Sequence, residues 1–414
     1  MKMNLKEILL SGIPSYCTGN KLVIDALISI YKKLGKHLLI ECTSNQVNQF
    51  GGYTGKKPQD FYNEIIYLAK KRNFELSKLI LGGDHLGPLI WKNEPESVAM
   101  NYAEDMVRMF VRAGYQKIHL DTSMRLGSDD PAIPLSVEKI AERGLRLYLA
   151  CKEEAKKEVR NSIAFIIGSE VPVPGGEKSC DTMKITTAKE ARQTLEIYKY
   201  IFKNSGVTDE QWDSDIAALV VQPGVEFTKD TVLPFNEEKT KDLTQYALQE
   251  GFAFEGHSTD YQMPKALKEM AKGQIKILKV GPELTFVLRA TLERLEELEK
   301  NYYSSSELSR FSEVLHNEMM QNPKYWSLYY DRSDAVAFNY SLLDRSRYYL
   351  TSEKVAKSIE ILRKNIDNIR DQGFLYRYMP ELIKENLDEI SSIFEKTIEI
   401  NIKNIVDKYE QAVK

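Results

Sequence analysis

The stretch Leu79-Ile-Leu-Gly-Gly-Asp-His-Leu-Gly-Pro88 leads an apolar run straight into an acid and an imidazole, Asp84 and His85. Neighbours on an extended strand point to opposite faces, but where a strand ends the chain turns and both can reach one cavity. A carboxylate beside a histidine in such a place is either a proton-transfer pair or a metal ligand next to a base. A capping Asp with a hydrogen-bonded His is the competing reading of an isolated pair. The convergence of partners decides between them.

Partners are found at the ends of similar runs. Glu41-Cys-Thr-Ser-Asn-Gln-Val-Asn-Gln-Phe-Gly-Gly52 is dense in amides and hydroxyls, and Asn45, Gln46 and Gln49 are candidate substrate contacts. Further along come His119-Leu-Asp121, Gly168-Ser-Glu170, Gln222-Pro-Gly-Val-Glu226, Glu255-Gly-His-Ser-Thr-Asp260 and Lys279-Val-Gly-Pro-Glu283. His85 and His257 suit neutral imidazole ligands of a divalent metal, with Glu170 or Glu226 completing an open catalytic site. Asp84 is then free to act as base, and Asp121 or Glu170 supplies a second carboxylate. His119, two residues before Asp121 on the same strand face, reads as a supporting or packing group. His37 and His316 read as structural or exposed, and Arg345 and Arg347 as surface-paired, with reach over the site as the alternative. Backbone N–H groups near Gly256, Ser258, Thr259, Asp260 and Gly281 are candidates for holding a phosphate, with Gln222 as a further substrate contact.

These residues need a scaffold that brings the ends of many strands to one face. Short β-branched runs alternate with amphipathic segments: Gly12–Cys17, Lys36–Cys42, Leu79–Leu81, Lys117–Asp121, Ala164–Gly168, Ala217–Gln222, Phe252–Gly256 and Ile275–Val280. Alternation of this kind predicts parallel strands with right-handed crossovers. Eight units within residues 1–300 predict an α/β fold, a (β/α)8 TIM barrel, whose functional face is the C-terminal end of its strands. The rival is a doubly wound open sheet, but no G-x-G-x-x-G follows the first run. Residues 301–414 predict a helical C-terminal extension packing on the barrel, its Glu/Lys spacing reading as a solvated helical face.

Composition narrows the classes. Lys+Arg 57 against Asp+Glu 60 leaves a net charge of -3, so there is no electrostatic footprint for nucleic acid. No apolar stretch has the length of a membrane span, and Met1 to Leu10 holds no core long enough for a signal peptide. Cys17, Cys42, Cys151 and Cys180 stand singly, as reduced thiols of a cytoplasmic protein do.

The stretches Thr43-Ser-Asn-Gln-Val-Asn-Gln-Phe-Gly-Gly-Tyr-Thr-Gly55, Gly82-Gly-Asp-His-Leu-Gly-Pro88, Ile118-His-Leu-Asp121, Gly168-Ser-Glu-Val-Pro-Val-Pro-Gly-Gly176 and Val221-Gln-Pro-Gly-Val-Glu-Phe227 resemble the Z-type subunits of tagatose-1,6-bisphosphate aldolase. The resemblance runs to Asp-Arg-Ser-Arg-Tyr-Tyr349. It implies a barrel related to class II, metal-dependent aldolases, with Asp84 as base, His85 and His257 as ligands and Glu170 in the turn after strand five. Where those aldolases place a histidine after strand six, this chain reads Gln-Pro-Gly-Val-Glu-Phe, and Glu226, with Gln222 as second choice, would have to substitute. The family implies two functions: 4-epimerisation of fructose or tagatose 6-phosphate, or a non-catalytic partner of a Y-type aldolase subunit. Tagatose-bisphosphate cleavage by this chain alone is a third. A divalent metal is expected, zinc first, with magnesium, manganese, nickel or cobalt as alternatives. The expected partners are a sugar phosphate, a Y-type subunit and further copies of this chain.

Overall fold

The computed structural model describes residues 3–158, 162–168 and 184–414. Eight parallel strands close into a barrel: β1 (Ile13–Cys17), β2 (Leu38–Thr43), β3 (Leu79–Leu86), β4 (Lys117–Leu120), β5 (Ala164–Ile167), β6 (Ile216–Val221), β9 (Phe254–Gly256) and β10 (Ile275–Val280). Their order around the barrel is β1-β10-β9-β6-β5-β4-β3-β2. The remaining pair, β7 (Glu226–Phe227) and β8 (Val232–Leu233), forms a small antiparallel ribbon after β6. The protein is therefore a (β/α)8 TIM barrel with a C-terminal helical extension. Among the described residues no helix is long and apolar enough to cross a membrane.

Alternation along each strand sorts the barrel interior into layers. The lowest is apolar, from Ile13, Leu39, Ile80, Ile166 and Ile277, and it is plugged from below by Leu9 of α1 (Leu5–Leu10). Two residues further up, the same faces carry Ser15, Glu41, Lys117 and Glu255, all without solvent exposure. Lys117 Nζ lies 2.5 Å from Glu41 Oε1 and 2.6 Å from Glu255 Oε2, and Ser15 Oγ donates to Glu41 Oε2 at 2.6 Å. Gly82 fits here because a Cβ would collide with the Glu41 carboxylate. Another two residues up come Cys17, Asp84, His119 and His257, and they are joined by Lys279, which stands two residues above Ile277. The chemistry therefore rests on a charged but internally paired floor.

Helices surround the strands: α2 (Lys21–Leu34), α3 (Pro58–Lys71), α4 (Glu96–Ala113), α5 (Val137–Lys157), α6 (Ala188–Asn204), α7 (Asp209–Asp215), α8 (Glu237–Glu250), α9 (Pro264–Lys272) and α10 (Pro282–Tyr302). The extension adds α11 (Phe311–Gln321), α12 (Ala335–Tyr340), α13 (Glu353–Asn368), α14 (Gln372–Tyr378) and α15 (Ile393–Ala412). This last helix packs against α2, α9 and α10 and reaches β1, so it fills the seam between the seventh and first units. Its charged sequence suggests a solvated face. Instead Phe394, Ile398, Ile402, Ile405 and Tyr409 are buried, and the Tyr409 hydroxyl donates to the Thr259 carbonyl at 2.7 Å. Its charges pair with barrel helices: Glu410 accepts from Tyr31 at 2.6 Å, and Lys408 lies 2.5 Å from Glu283.

Candidate active site

Asp84 and His85 do not follow the end of β3 but lie within it. The register against β4 slips between Gly83 and Leu86, and His85 takes a left-handed φ of 46°. A bulge with one residue in that region re-aims side chains. Here it turns Asp84 and His85 into the same cavity, where a regular strand would have separated them.

Three imidazoles meet above the charged layer. Ring centroids lie 4.9 Å apart for His85 and His119, 4.9 Å for His85 and His257, and 5.2 Å for His119 and His257. Each ring is oriented by an oxygen that can only accept. His85 Nδ1 faces Asp121 Oδ2 at 3.0 Å, His119 Nε2 faces the Gly168 carbonyl at 2.8 Å, and His257 Nε2 faces Glu255 Oε1 at 2.8 Å. The nitrogen at each of these oxygens carries the hydrogen, so His85 Nε2 and His257 Nδ1 turn inward as acceptors, while His119 Nδ1 faces both the His85 backbone N–H at 3.2 Å and Asp84 Oδ1 at 3.0 Å. Outer acceptors that fix the tautomer in this way are the usual support of metal-binding histidines.

The inward side holds Asp84 and Lys279. Asp84 Oδ1 lies 3.0 Å from His119 Nδ1, and Asp84 Oδ2 lies 2.6 Å from Lys279 Nζ. The ammonium is also 3.0 Å from His85 Nε2 and 3.3 Å from His257 Nδ1. Burial works against the Asp84 carboxylate, but His85, Lys279 and His119 outweigh it and hold the group well below its ordinary pKa. Burial keeps His85 and His257 below the ordinary imidazole value. Burial also pulls His119 down, but its hydrogen bond to Asp84 wins and raises it.

Do these residues fit a metal ion? Ligand atoms of Asp84, His85, His119 and His257 all lie within 4.8 Å of one another, a spacing that one divalent ion can bridge. The Lys279 ammonium marks the spot, since lone pairs and a carboxylate gather around its positive charge. The donor set fits. It also differs from the expected one. The third imidazole comes from β4, not a substitute ligand after β6. Glu226 lies on the small ribbon, where it accepts from Phe227 N at 2.9 Å and from Ser258 Oγ at 3.3 Å, outside this group. Glu170 lies outside the described residues. Asp121 accepts from His85 and from Ser123, and these partners hold it well below its ordinary pKa despite burial. It is placed to orient a ring.

A cavity of about 190 Å³ opens over the cluster, far larger than a water site needs. Asp84, His85 and Lys279 face it from below, and Asn45 and Gln46 line its side. Ser258, Asp260 and Gly281 line it near the loops after β9 and β10. Three other candidates are turned elsewhere. Gln49 donates to the Tyr102 carbonyl at 2.9 Å, Gln222 accepts from Gly224 N at 2.8 Å, and Thr259 Oγ donates to the Lys279 carbonyl at 2.7 Å. Asp260, pushed up to about 6 by burial and then by Glu283, accepts backbone N–H groups of Gly281 and Glu283. The extension contributes Arg347, Tyr348 and Thr351. Tyr348 packs on Tyr53 at 4.6 Å and stacks on Tyr325 at 4.6 Å. Arg345 instead lies over the ring of Tyr329 at 3.7 Å.

Sequence reasoning gave His119 only a supporting role, missed Lys117 and Lys279, and set the reach of Arg347 over the site second to surface pairing. The first two had a signal: Lys117, His119 and Asp121 alternate on one strand, and three polar residues at that spacing mark a single inward face.

Comparison with known proteins agrees with this architecture. The family model described as D-tagatose-1,6-bisphosphate aldolase subunit GatZ/KbaZ-like matches residues 3–414. The D-tagatose-1,6-bisphosphate aldolase subunit GatZ of Salmonella heidelberg is 39% identical over 374 residues, 89% of this chain and 88% of that protein. The GatZ subunit of Klebsiella pneumoniae is 38% identical over 404 residues, 96% of this chain and 95% of that one. Among solved structures, a probable tagatose 6 phosphate kinase from Sinorhizobium meliloti superposes with a TM-score of 0.85 at 31% identity, covering 97% of this chain and 100% of that chain. The GatZ names fit an aldolase subunit better than an epimerase. The chain belongs to the GatZ/KbaZ-like family of D-tagatose-1,6-bisphosphate aldolase subunits.

Proposed function

We propose that this chain works a metal-dependent site of its own, a cytoplasmic 4-epimerase interconverting fructose 6-phosphate and tagatose 6-phosphate by carbon–carbon cleavage and re-addition. The observation that carries this reading is the triangle of imidazoles around Asp84, each ring held from outside by an accepting oxygen.

C4 of a 2-ketose is β to the carbonyl, so its hydrogen is not acidic and deprotonation cannot invert it. The C3–C4 bond can break instead. Loss of the proton on O4 lets the C3–C4 pair flow toward C2, leaving a three-carbon enediolate and an aldehyde. If the aldehyde turns over before the bond reforms, the other epimer results. Asp84 takes the O4 proton. Once the aldehyde has turned and the C3–C4 bond re-forms, Lys279 Nζ donates to O4 and recovers the proton held by Asp84 Oδ2, 2.6 Å away. Asp121 and Glu255 keep the rings of His85 and His257 in register. Tyr53 and Tyr348 wall the cavity and limit access of water to the fragments. A divalent ion held by His85, His119 and His257 beside Asp84, zinc by its nitrogen-rich donor set, would polarise the C2 carbonyl and stabilise the charge developing at C3.

The test is purified protein with fructose 6-phosphate. Tagatose 6-phosphate is expected to form, to stop with EDTA and to return with added metal. Asp84→Asn and His257→Ala are each expected to lower turnover by at least about a hundredfold. Inactivity with every divalent ion, combined with stimulation of a Y-type aldolase, removes this reading.

The second reading is a subunit supporting such an aldolase. Two observations favour it: the names of the relatives, and the Lys279 ammonium, which already satisfies the inward lone pairs. Under either reading a homo-oligomer is proposed.

A further inference from the structure

The cavity carries few cations. Among the described residues that line it, the basic ones are Lys279 and Arg347. Lys279 is bound to Asp84. Arg347 reaches in from the extension, its Nη1 donating to the carbonyls of Leu343 and, at 3.0 Å, Asp344, with Nη2 3.1 Å from the Tyr348 hydroxyl. Among the described residues it joins no ion pair with a carboxylate. The guanidinium is half-buried at the cavity wall, and its planar fork matches a phosphate.

The corner between the loops after β9 and β10 has the opposite character. Barrels commonly turn backbone N–H groups toward a phosphate there. Here Gly281 N and Glu283 N both donate to Asp260 Oδ1, at 2.9 and 2.8 Å. Tyr261 N donates to Glu283 Oε2 at 2.8 Å. A phosphate entering this corner would have to displace Asp260 from both N–H groups, and the cation beside it, Lys408, is already bound to Glu283 at 2.5 Å.

We propose that Arg347 is the anion anchor of the cavity and that Asp260, by occupying the backbone N–H groups after β10, keeps them from serving a phosphate, so that a ketohexose is held by one phosphate on the carbon farthest from its keto group. This rests on the reading that places the keto group at the histidines. A phosphate on C1 is held one carbon from that carbonyl, near Asp84, Asp121 and Asp260. A phosphate on C6 is four carbons away and reaches toward the extension.

Calorimetric titration of the metal-loaded full chain tests the assignment with fructose 6-phosphate, fructose 1-phosphate and fructose 1,6-bisphosphate. The wild type is expected to bind the 6-phosphate at least about tenfold more tightly than the other two. Arg347→Met is expected to weaken the 6-phosphate by about tenfold or more with unchanged metal content, and Arg347→Lys to retain part of the binding. The proposal is overturned if the 1-phosphate or the bisphosphate binds as well as the 6-phosphate, if both Arg347 variants bind like wild type, or if none of the three binds. Should the variants not fold, the wild-type series alone decides. Binding that depends on Arg347 without formation of tagatose 6-phosphate leaves this assignment standing and removes the epimerase reading. Epimerisation indifferent to Arg347 does the reverse.

Discussion

Replacing Glu255 by Gln removes one charge from a group that no solvent reaches, and its two hydrogen-bonding partners set the consequence. Glu255 Oε1 accepts the His257 Nε2–H at 2.8 Å, while Oε2 lies 2.6 Å from the Lys117 ammonium. Burial opposes the charge, but Lys117 and then His257 hold the carboxylate well below its usual range, so it is ionised at neutral pH. A glutamine has one oxygen for two donors. If that oxygen serves His257, the amide NH2 is pressed against the ammonium. If it serves Lys117, the NH2 meets His257 Nε2 and drives the ring hydrogen to Nδ1, the nitrogen that faces the cluster. Losing an outer-shell partner typically lowers metal affinity by about 10- to 100-fold, which is about 1.4–2.7 kcal/mol. Competition for zinc against a chromophoric chelator measures this directly. Glu41→Gln is the matched control. It takes a carboxylate from the same lysine, at 2.5 Å, but one whose hydrogen bond is to Ser15 and which burial pushes toward the neutral form. It is expected to leave zinc affinity within about threefold, well short of the outer-shell effect. The reasoning fails if Glu255→Gln binds zinc like wild type, or if Glu41→Gln loses as much.

Two further outcomes are expected from the same layers. Lys117→Met leaves Glu41 and Glu255 facing each other without their cation, a loss of about 3–5 kcal/mol. For a chain of this length that lowers the calorimetric midpoint by roughly 3–6 °C. An unchanged midpoint at pH 7 would falsify the pairing. Metal affinity is also expected to be pH-dependent. His85 and His257 are depressed in the folded protein, chiefly by burial, so the stability of their neutral forms is present above about pH 6.5 and is lost as pH falls below it. Chelator competition between pH 7.5 and 5.5 should therefore show zinc binding weakening below about 6.5, with the thermal midpoint following. A flat profile contradicts the assignment of these rings as neutral ligands.

The eight strands were legible because apolar β-branched runs alternate with amphipathic segments, and that pattern has few other solutions. Asp84, His85 and His257 were legible because they terminate such runs. His119 was not, for a reason of parity: His119 and Asp121 share a face, and without Lys117 as a third point nothing says that the face is the inside. In the sixth-strand region Glu226 sits at a plausible position, where it accepts from Phe227 N and from Ser258 Oγ of the loop after β9. Arg347 is separated from the barrel strands by more than one helix, and no local pattern ties a distant arginine to a cavity. Asp260 reads as a phosphate contact in the sequence and is a cap in the fold. A carboxylate that caps N–H groups and a hydroxyl that offers them to an anion occur in the same kind of loop, and composition does not distinguish the two.

The placement of α15 bears on how the molecule is made. Tyr31 on α2 and Glu410 on α15 are hydrogen-bonded across 379 residues of chain. During vectorial synthesis every strand emerges before the helix that fills the seam between α9 and α2. The nascent barrel must therefore wait with an apolar flank open, and its closure is among the most non-local contacts a chain of this size can make. Topologies dominated by such contacts fold slowly and leave aggregation-prone surface exposed meanwhile. Closure of that flank thus trails the strands it completes.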